Sequence, residues 1–361
     1  MTRPSHLSPP PRPTDHGIVV HETPPARVLL GPGARHRIPE EAERLGARRV
    51  LLVATGSAKA AADALADALG GRLAARFGRP VAHTPVGVTA EAMEVVREAA
   101  ADAVVALGGG SAVGLAKALS ARTGMPQLAV PTTYAGSEVT PVLGETENGV
   151  KTTRRDPALT PGTVVYDPEL TLTLPAGLTR TSALNALAHA IEALWAPDAS
   201  AFTDALATEA VDGILTALPE VLAEPSGPAG RVRLQESAWL AGLCLARTRM
   251  GLHHQLAHVL GGTFDLPHAE LHALLLPHVL AFNLPAAPAA DARLRRITGD
   301  DDPVAVVGRL ARGHDGPTTL GALGVPRDGL RAVAERVTER PYPNPRAPET
   351  GALTRLLERA W

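Results

Sequence analysis

One cysteine in 361 residues, Cys244, leaves no internal disulfide framework to build. That scarcity suits a reducing cytoplasm, and the apolar stretch Leu243-Cys-Leu-Ala246 reads as the setting of a buried structural thiol. Charge of one sign is also lacking. Lys and Arg number 35 against 37 Asp and Glu, so nothing in the balance favours nucleic acid or an anionic membrane as partner, and any anion binding must be local. Long apolar runs are missing too. The stretch Leu271 to Leu284 is broken by His272, Pro277, His278 and Asn283, short of the ~18 residues a membrane span needs. Met1 to Gly17 is rich in proline and polar residues, lacks the apolar core of a signal peptide, and reads as a disordered tail over residues 1–16. No repeat occurs at solenoid periods.

What is present is 45% apolar residues, enough for two ordinary domains with real cores. From Arg27 to Asp167 short apolar runs alternate with helical stretches, the pattern of a parallel sheet covered by helices. Strands are expected at Val50–Ala54, Pro80–Pro85, Ala103–Leu107, Leu128–Val130 and Val164–Tyr166, with helices at Ala58–Leu69, Ala90–Ala100 and Ala112–Ala121. After Leu174-Pro175 long Ala/Leu-rich segments of helical period take over, expected to form helices at Arg180–Leu194, Ala201–Leu222, Arg231–Thr248, His253–Leu260 and Ala269–Asn283. The expected organisation is an α/β dinucleotide-binding domain over 17–174 and an all-helical catalytic domain over 175–361. Pro225–Pro228 and Pro341–Pro345 read as loops.

Gly108-Gly109-Gly110-Ser111 falls between an expected strand and helix, where glycines let backbone amides approach a pyrophosphate at the helix N-terminus. It is not the G-x-G-x-x-G fingerprint after a first strand, so the dinucleotide fold is of another lineage. Pro131-Thr132-Thr133-Tyr134-Ala135-Gly136-Ser137-Glu138 begins at the end of the next strand and suits a loop that wraps a cofactor. Lys151, in the run Gly149–Arg155, adds positive charge, with a solvated surface run as the plain alternative. Asn185 and His189 are four apart, as are His254 and His258, so on helices each pair shares a face. With His268 this is the geometry of a two-helix metal cage, except that a neutral amide stands where a divalent cation wants a carboxylate.

Taken together these segments resemble the iron-containing alcohol dehydrogenase superfamily, and within it the maleylacetate reductases. Thr133–Glu138, Gly149–Thr153, Asp156-Pro157, Tyr166–Pro175 and Asn185–His189 carry the closer likeness, which spans nearly the whole chain after the tail. The resemblance implies a dehydroquinate-synthase-like fold, a cleft between two domains, a homodimer, and NAD(P)H-dependent reduction of maleylacetate to 3-oxoadipate in the breakdown of aromatic compounds. Metal-dependent members hold their cation at positions that correspond here to Asn185, His189, His254 and His268. With an amide for the aspartate, and Gly114 where such members tend to carry another aspartate, no metal is expected. Were one present, it would be zinc or iron at His189, His254 and His268. The strand at Val50–Ala54 is followed by Thr55-Gly56-Ser57 with no acid to repel a 2′-phosphate, so NADH and NADPH are both expected.

A small anionic dicarboxylate is the expected partner. Reducing its conjugated double bond creates an enolate that preorganised donors must hold and protonate. His254 or His258 is expected to donate the proton, with His189 and His268 orienting substrate as part of a cationic donor cluster. Asn185, Lys151, Arg155 and Tyr134 are expected to contact substrate. Gly108, Gly109, Gly110, Ser111, Thr132, Thr133, Ser137 and Lys151 are expected to hold the cofactor. Arg154 is a weaker candidate for carboxylate recognition, and His253, His272 and His278 read as structural. The alternatives are a metal-dependent alcohol or aldehyde dehydrogenase, a reductase of another unsaturated or keto dicarboxylate, and a cofactor-binding homologue without catalysis.

Overall fold

The computed structural model describes residues 27–313 and 316–361, with the Lys151 side chain excepted. The expected tail and part of the expected first domain therefore lie outside the described residues.

Four strands are buried along their whole length: β2 (Val50–Ala54), β4 (Ala103–Gly108), β5 (Gln127–Pro131) and β8 (Thr163–Tyr166). Their near-continuous apolar composition is what a parallel sheet covered on both faces requires. With β1 (Arg27–Leu30) and β3 (Leu73–Phe77) at the edges, the order is β1-β8-β5-β4-β2-β3, all neighbours parallel. Side-chain alternation splits the sheet into two cores. Val50, Leu52, Val105 and Leu107 pack with α1 (Ile38–Arg44) and α2 (Lys59–Leu69). Leu51, Val53, Val104 and Ala106 pack with α3 (Val86–Glu98) and α4 (Gly110–Thr123). The chain runs from β2 outward to β3, returns to β4 and continues the other way, so the loops after β2 and β4 diverge at a switch point, where open α/β sheets bind ligands.

One expectation is corrected. Pro80–Pro85 is not a strand. His83 and Thr84 adopt φ of 62° and 46°, which an extended strand cannot contain, and the sheet edge is formed by Leu73–Phe77 instead. The segment around Lys151 forms a hairpin, β6 (Val142–Glu147) with β7 (Val150–Arg155), closed by Asn148-Gly149 at φ 51° and 75°. Asn-Gly is the preferred two-residue turn for twisted antiparallel strands.

The rest is helical: α5 (Ala176–Ala193), α6 (Ala201–Ala223), α7 (Pro228–Arg247), α8 (Leu252–Phe264), α9 (His268–Asn283), α10 (Pro288–Thr298), α11 (Pro303–Arg312), α12 (Leu330–Thr338) and α13 (Thr350–Ala360). Every residue from Thr181 to Ala193 on α5 is buried, so this helix is the central post, packed by α6, α7 and α9. Such a helix must be apolar or internally satisfied all round. Its alanines allow that close approach, and among its buried polar residues Asn185, His189 and Glu192 have the most to satisfy. The α9 helix joins two cores, giving Leu276 and Leu280 to the α5 side and Leu271, Leu275 and Val279 to a cluster with α8, α12 and α13. Among the described residues, no helix is long and apolar enough to cross a membrane.

Candidate active site

A cavity of about 960 Å³ lies between the carboxyl edge of the sheet and the helical part. Its sheet-side wall is a backbone cradle. Gly108 closes β4 at φ 152°, and a Cβ there would come within 2.8 Å of Thr55 Cγ2. At Gly109 a Cβ would meet Thr133 at 3.1 Å. The loops after β2, β4 and β5 thus meet at glycine, leaving Gly110 and Ser111 at the N-terminus of α4 facing the cavity. Unpaired N–H groups and the helix dipole there suit a pyrophosphate, so these residues fit a dinucleotide. Thr133 and Ser137 line the cavity, whereas Thr132 does not, and its N–H donates to the Gly108 carbonyl at 3.1 Å. Gly114 faces Thr84, whose hydroxyl occupies the space a Cβ would need.

The loop after β5 is held from two sides. Lys117 of α4 is fully buried and its Nζ donates to Ser137 O and Thr140 O at 2.7 Å, and to Thr140 Oγ1 and Val142 O at 3.0 Å. Burial pushes this ammonium down to about 7. On the other side Tyr134 is not at the site expected for it. It is fully buried in the α5 core, its hydroxyl donating to Thr171 Oγ1 and accepting from Arg231 Nη1, each at 3.1 Å. A large aromatic ring contributes most where it is desolvated, and here it anchors the loop to the helices.

Asn185, His189, His254, His258 and His268 all line the helical wall. Helical spacing explains the grouping: α5 turns Asn185 and His189 to one face, α8 does so for His254 and His258, and His268 opens α9. The centre of the group is a relay that includes Glu192, one turn beyond His189. Glu192 is 1% exposed and accepts from Gly251 N–H at 3.0 Å and His253 N–H at 2.9 Å, while its Oε2 lies 2.6 Å from His254 Nδ1. His254 Nε2 is in turn 2.9 Å from His189 Nδ1. Desolvation works to raise the Glu192 carboxyl, but the bond and charge of His254 and the His253 N–H outweigh it and hold it below its ordinary value. The carboxylate therefore accepts the Nδ1 proton of His254 and leaves Nε2 to its hydrogen bond with His189. Behind the wall His253 Nε2 lies 3.0 Å from His272 Nδ1. Burial pushes His253 down to about 3 and His272 well below the usual imidazole range.

His189 is likewise driven well below its ordinary value, first by burial and then by the neighbouring imidazoles. The cationic donor cluster is expected with the dianion bound; without an anion, burial favours the neutral form of His189, His253 and His272. His258 is exposed and in contact range of solvent. Among the described residues no three His, Cys, Asp or Glu side chains converge to hold a metal ion. Asn185 Oδ1 is a buried acceptor without a partner, which a cation would favour, but both ring nitrogens of His254 are engaged. The donor set in this arrangement does not fit a divalent cation.

Arg155 lines the cavity with its Nη2 bonded to the Ala246 carbonyl, tying the hairpin to the end of α7, and Arg154 pairs with Asp156. The Lys151 side chain lies outside the described residues. Sequence reasoning gave no role to Glu192, Lys117, Thr84 or Arg247, all of which support or line the site. Only Glu192 left a signal, three residues after His189 on the same helix face.

Residues 25–168 match the family described as iron-containing alcohol dehydrogenase, and residues 179–361 match the C-terminal part of the Fe-containing alcohol dehydrogenase family. Maleylacetate reductase of Rhizobium sp. (strain MTP-10005) is 47% identical over 95% of this chain and 97% of its own. Maleylacetate reductase 1 of Rhodococcus opacus is 44% identical over 93% and 94%. The crystal structure of maleylacetate reductase from Agrobacterium tumefaciens superposes with a TM-score of 0.90 at 46% identity, over 96% of this chain and 98% of the other. With a glycine cradle on one wall, a histidine group on the other and these matches across nearly its full length, the chain belongs to the iron-containing alcohol dehydrogenase family, among its maleylacetate reductases.

Proposed function

We propose that this enzyme reduces maleylacetate to 3-oxoadipate with NADH or NADPH, and that it does so without a metal ion. The observation that carries the reading is the Glu192–His254–His189 relay facing the Gly108–Ser111 cradle across one cavity. Reduction needs a hydride, the chemistry a reduced nicotinamide supplies when held at the cradle. Reducing the conjugated double bond moves negative charge onto the ketone oxygen as an enolate, which the protein must stabilise and protonate. N–H donors of the histidine group meet that charge as it develops. The Nδ1 proton of His254 is held by Glu192, so the proton given to the enolate is one taken up from solvent at Nε2 and passed on directly or along the 2.9 Å hydrogen bond with His189. Glu192 keeps His254 in one orientation and balances the imidazolium formed in transit. His258, exposed at the rim, is placed to restore the proton from solvent, and His268 orients the substrate. Asn185 presents a neutral amide where a carboxylate would repel the dianion. Ser57 and its neighbours after β2 carry no acid, so a 2′-phosphate is tolerated.

The test is NADH and NADPH oxidation on adding maleylacetate, with and without EDTA, followed by identification of 3-oxoadipate. Turnover unaffected by chelator is expected. No oxidation with either cofactor would refute the substrate, and loss in EDTA restored by zinc or iron would refute the metal-free step.

A further inference from the structure

Most cationic side chains on the cavity wall are already engaged. Arg155 donates to the Ala246 carbonyl, Arg249 lies 3.4 Å from Asp198 and donates its backbone N–H to the same carboxylate at 3.1 Å, and Lys117 sits in its oxygen cage. Arg247 differs. It lines the same cavity at the end of α7, yet its Nη1 and Nη2 are both buried with no hydrogen-bond partner among the described residues. Its guanidinium carbon stands 5.3 Å from the Phe202 ring centroid, a contact that supplies no hydrogen-bond acceptor.

A basic residue at a helix C-terminus ordinarily favours the dipole with its head in water. Here the head is withdrawn from water, and the nearby Cys244 thiol, pushed up to about 12 by burial, offers no negative charge. A guanidinium stays charged at any physiological pH and presents a planar fork of donors. Left buried without a counter-charge it is strongly destabilising, so its natural complement is an anion with two oxygens in one plane. The connector from Arg247 to His254 is pinned at both ends. Thr248 N–H donates to Cys244 O at 2.9 Å, and Gly251 N–H donates to Glu192 at 3.0 Å. Both side chains are thereby held to one cavity.

We propose that Arg247 is the specificity-determining residue that receives the substrate carboxylate remote from the reacting double bond. The carboxylate borne by the alkene must sit where hydride and proton arrive, between cradle and relay; Arg247 belongs to neither, which leaves it the far carboxylate. This rests on the reading of the site as a dicarboxylate reductase, and it makes a second carboxylate the condition for tight binding.

The test uses the full chain with NADH. Arg247→Met and Arg247→Lys are compared with wild type on maleylacetate and on 4-oxopent-2-enoate, which keeps the reacting enone and its carboxylate but lacks the far one. Arg247→Met should raise KM for maleylacetate about 30-fold, more than it changes kcat, the scale of a lost charge-assisted fork. The loss in kcat/KM should exceed that on 4-oxopent-2-enoate by at least tenfold, with Arg247→Lys restoring part of it. The melting temperature should hold or rise, because an uncompensated buried charge has been removed. A lower melting temperature with equal losses on both substrates would mark Arg247 as structural and overturn the assignment. Binding of adipate to the NADH complex separates the two readings. Weaker adipate binding in Arg247→Met supports the carboxylate role even if wild type fails to reduce maleylacetate, in which case only the substrate assignment falls. Equal adipate binding by both forms, or none by either, overturns the role of Arg247 whatever the substrate.

Discussion

Replacing Glu192 by Gln removes one charge from the relay while keeping its shape. The carboxylate has three donors facing it: Gly251 N–H and the His254 Nδ1 side on Oε2, and His253 N–H on Oε1. An amide has one acceptor. If its oxygen faces His253, its NH₂ meets the Gly251 N–H and His254 Nδ1, which must then give up its proton and turn to the other tautomer. If its oxygen faces Gly251 and His254, its NH₂ meets the His253 N–H at the start of α8. Either way one buried backbone donor loses its acceptor and a charge-assisted bond of 2.6 Å becomes neutral or vanishes. The two losses together come to about 2–4 kcal/mol of stability. For catalysis, the proton-donating form loses the negative charge that supports it. We expect kcat to fall roughly 10²-fold, with the limb of the pH–kcat profile that requires the protonated form moving to lower pH. Urea denaturation gives the first quantity, and stopped-flow NADH oxidation at saturating maleylacetate from pH 5.5 to 9 gives the second. A variant with kcat within threefold of wild type and an unmoved profile would refute the relay, even if its stability fell as expected.

The buried pair His253 and His272 makes stability depend on pH. His253 is held neutral down to about 3 in the folded chain, against about 6.5 when unfolded, so between those values the unfolded state binds the extra proton and stability falls as pH falls. At pH 5 this one residue costs about 2 kcal/mol relative to pH 7.5. Denaturation midpoints at the two pH values should show it, and His253→Leu combined with His272→Leu should flatten the dependence; an unchanged slope would place its origin elsewhere. Asn185→Asp puts a carboxylate beside neutral imidazoles. KM for the dianion should rise about tenfold or more, and zinc retained after dialysis should increase by elemental analysis. An unaltered KM with no gain in zinc would remove Asn185 from the account of metal independence.

How legible the site was follows from how local each signal is. Glycines at a strand end and pairs of residues four apart on a helix are short-range statements, and they found Gly110, Ser111, Asn185, His189, His254 and His258 on one cavity. Tyr134 belongs to the same sequence run as Thr133, but successive residues leave a loop on opposite sides, and burial in the α5 core decided which one faced the cavity. Arg155 kept its place on the wall, yet its guanidinium was claimed by a carbonyl 91 positions away. The misplaced strand at Pro80–Pro85 had the right apolar content, and only the positive φ of His83 and Thr84 excluded it.

By itself the sequence determined the fold class, the cradle and the residue types available to the site. Short continuous apolar runs, a glycine cluster after a strand and long alanine-rich helical periods are each local consequences of sterics and hydrophobic patterning. Tertiary structure alone decided protonation and partnership. Glu192 became the relay's base of support because α8 begins against it, offering two backbone donors and His254 at once. Burial then pushed His189, His253 and His272 towards the neutral form. Desolvation and the direction of a buried hydrogen bond depend on what packs from distant parts of the chain, and no spacing along the sequence encodes them.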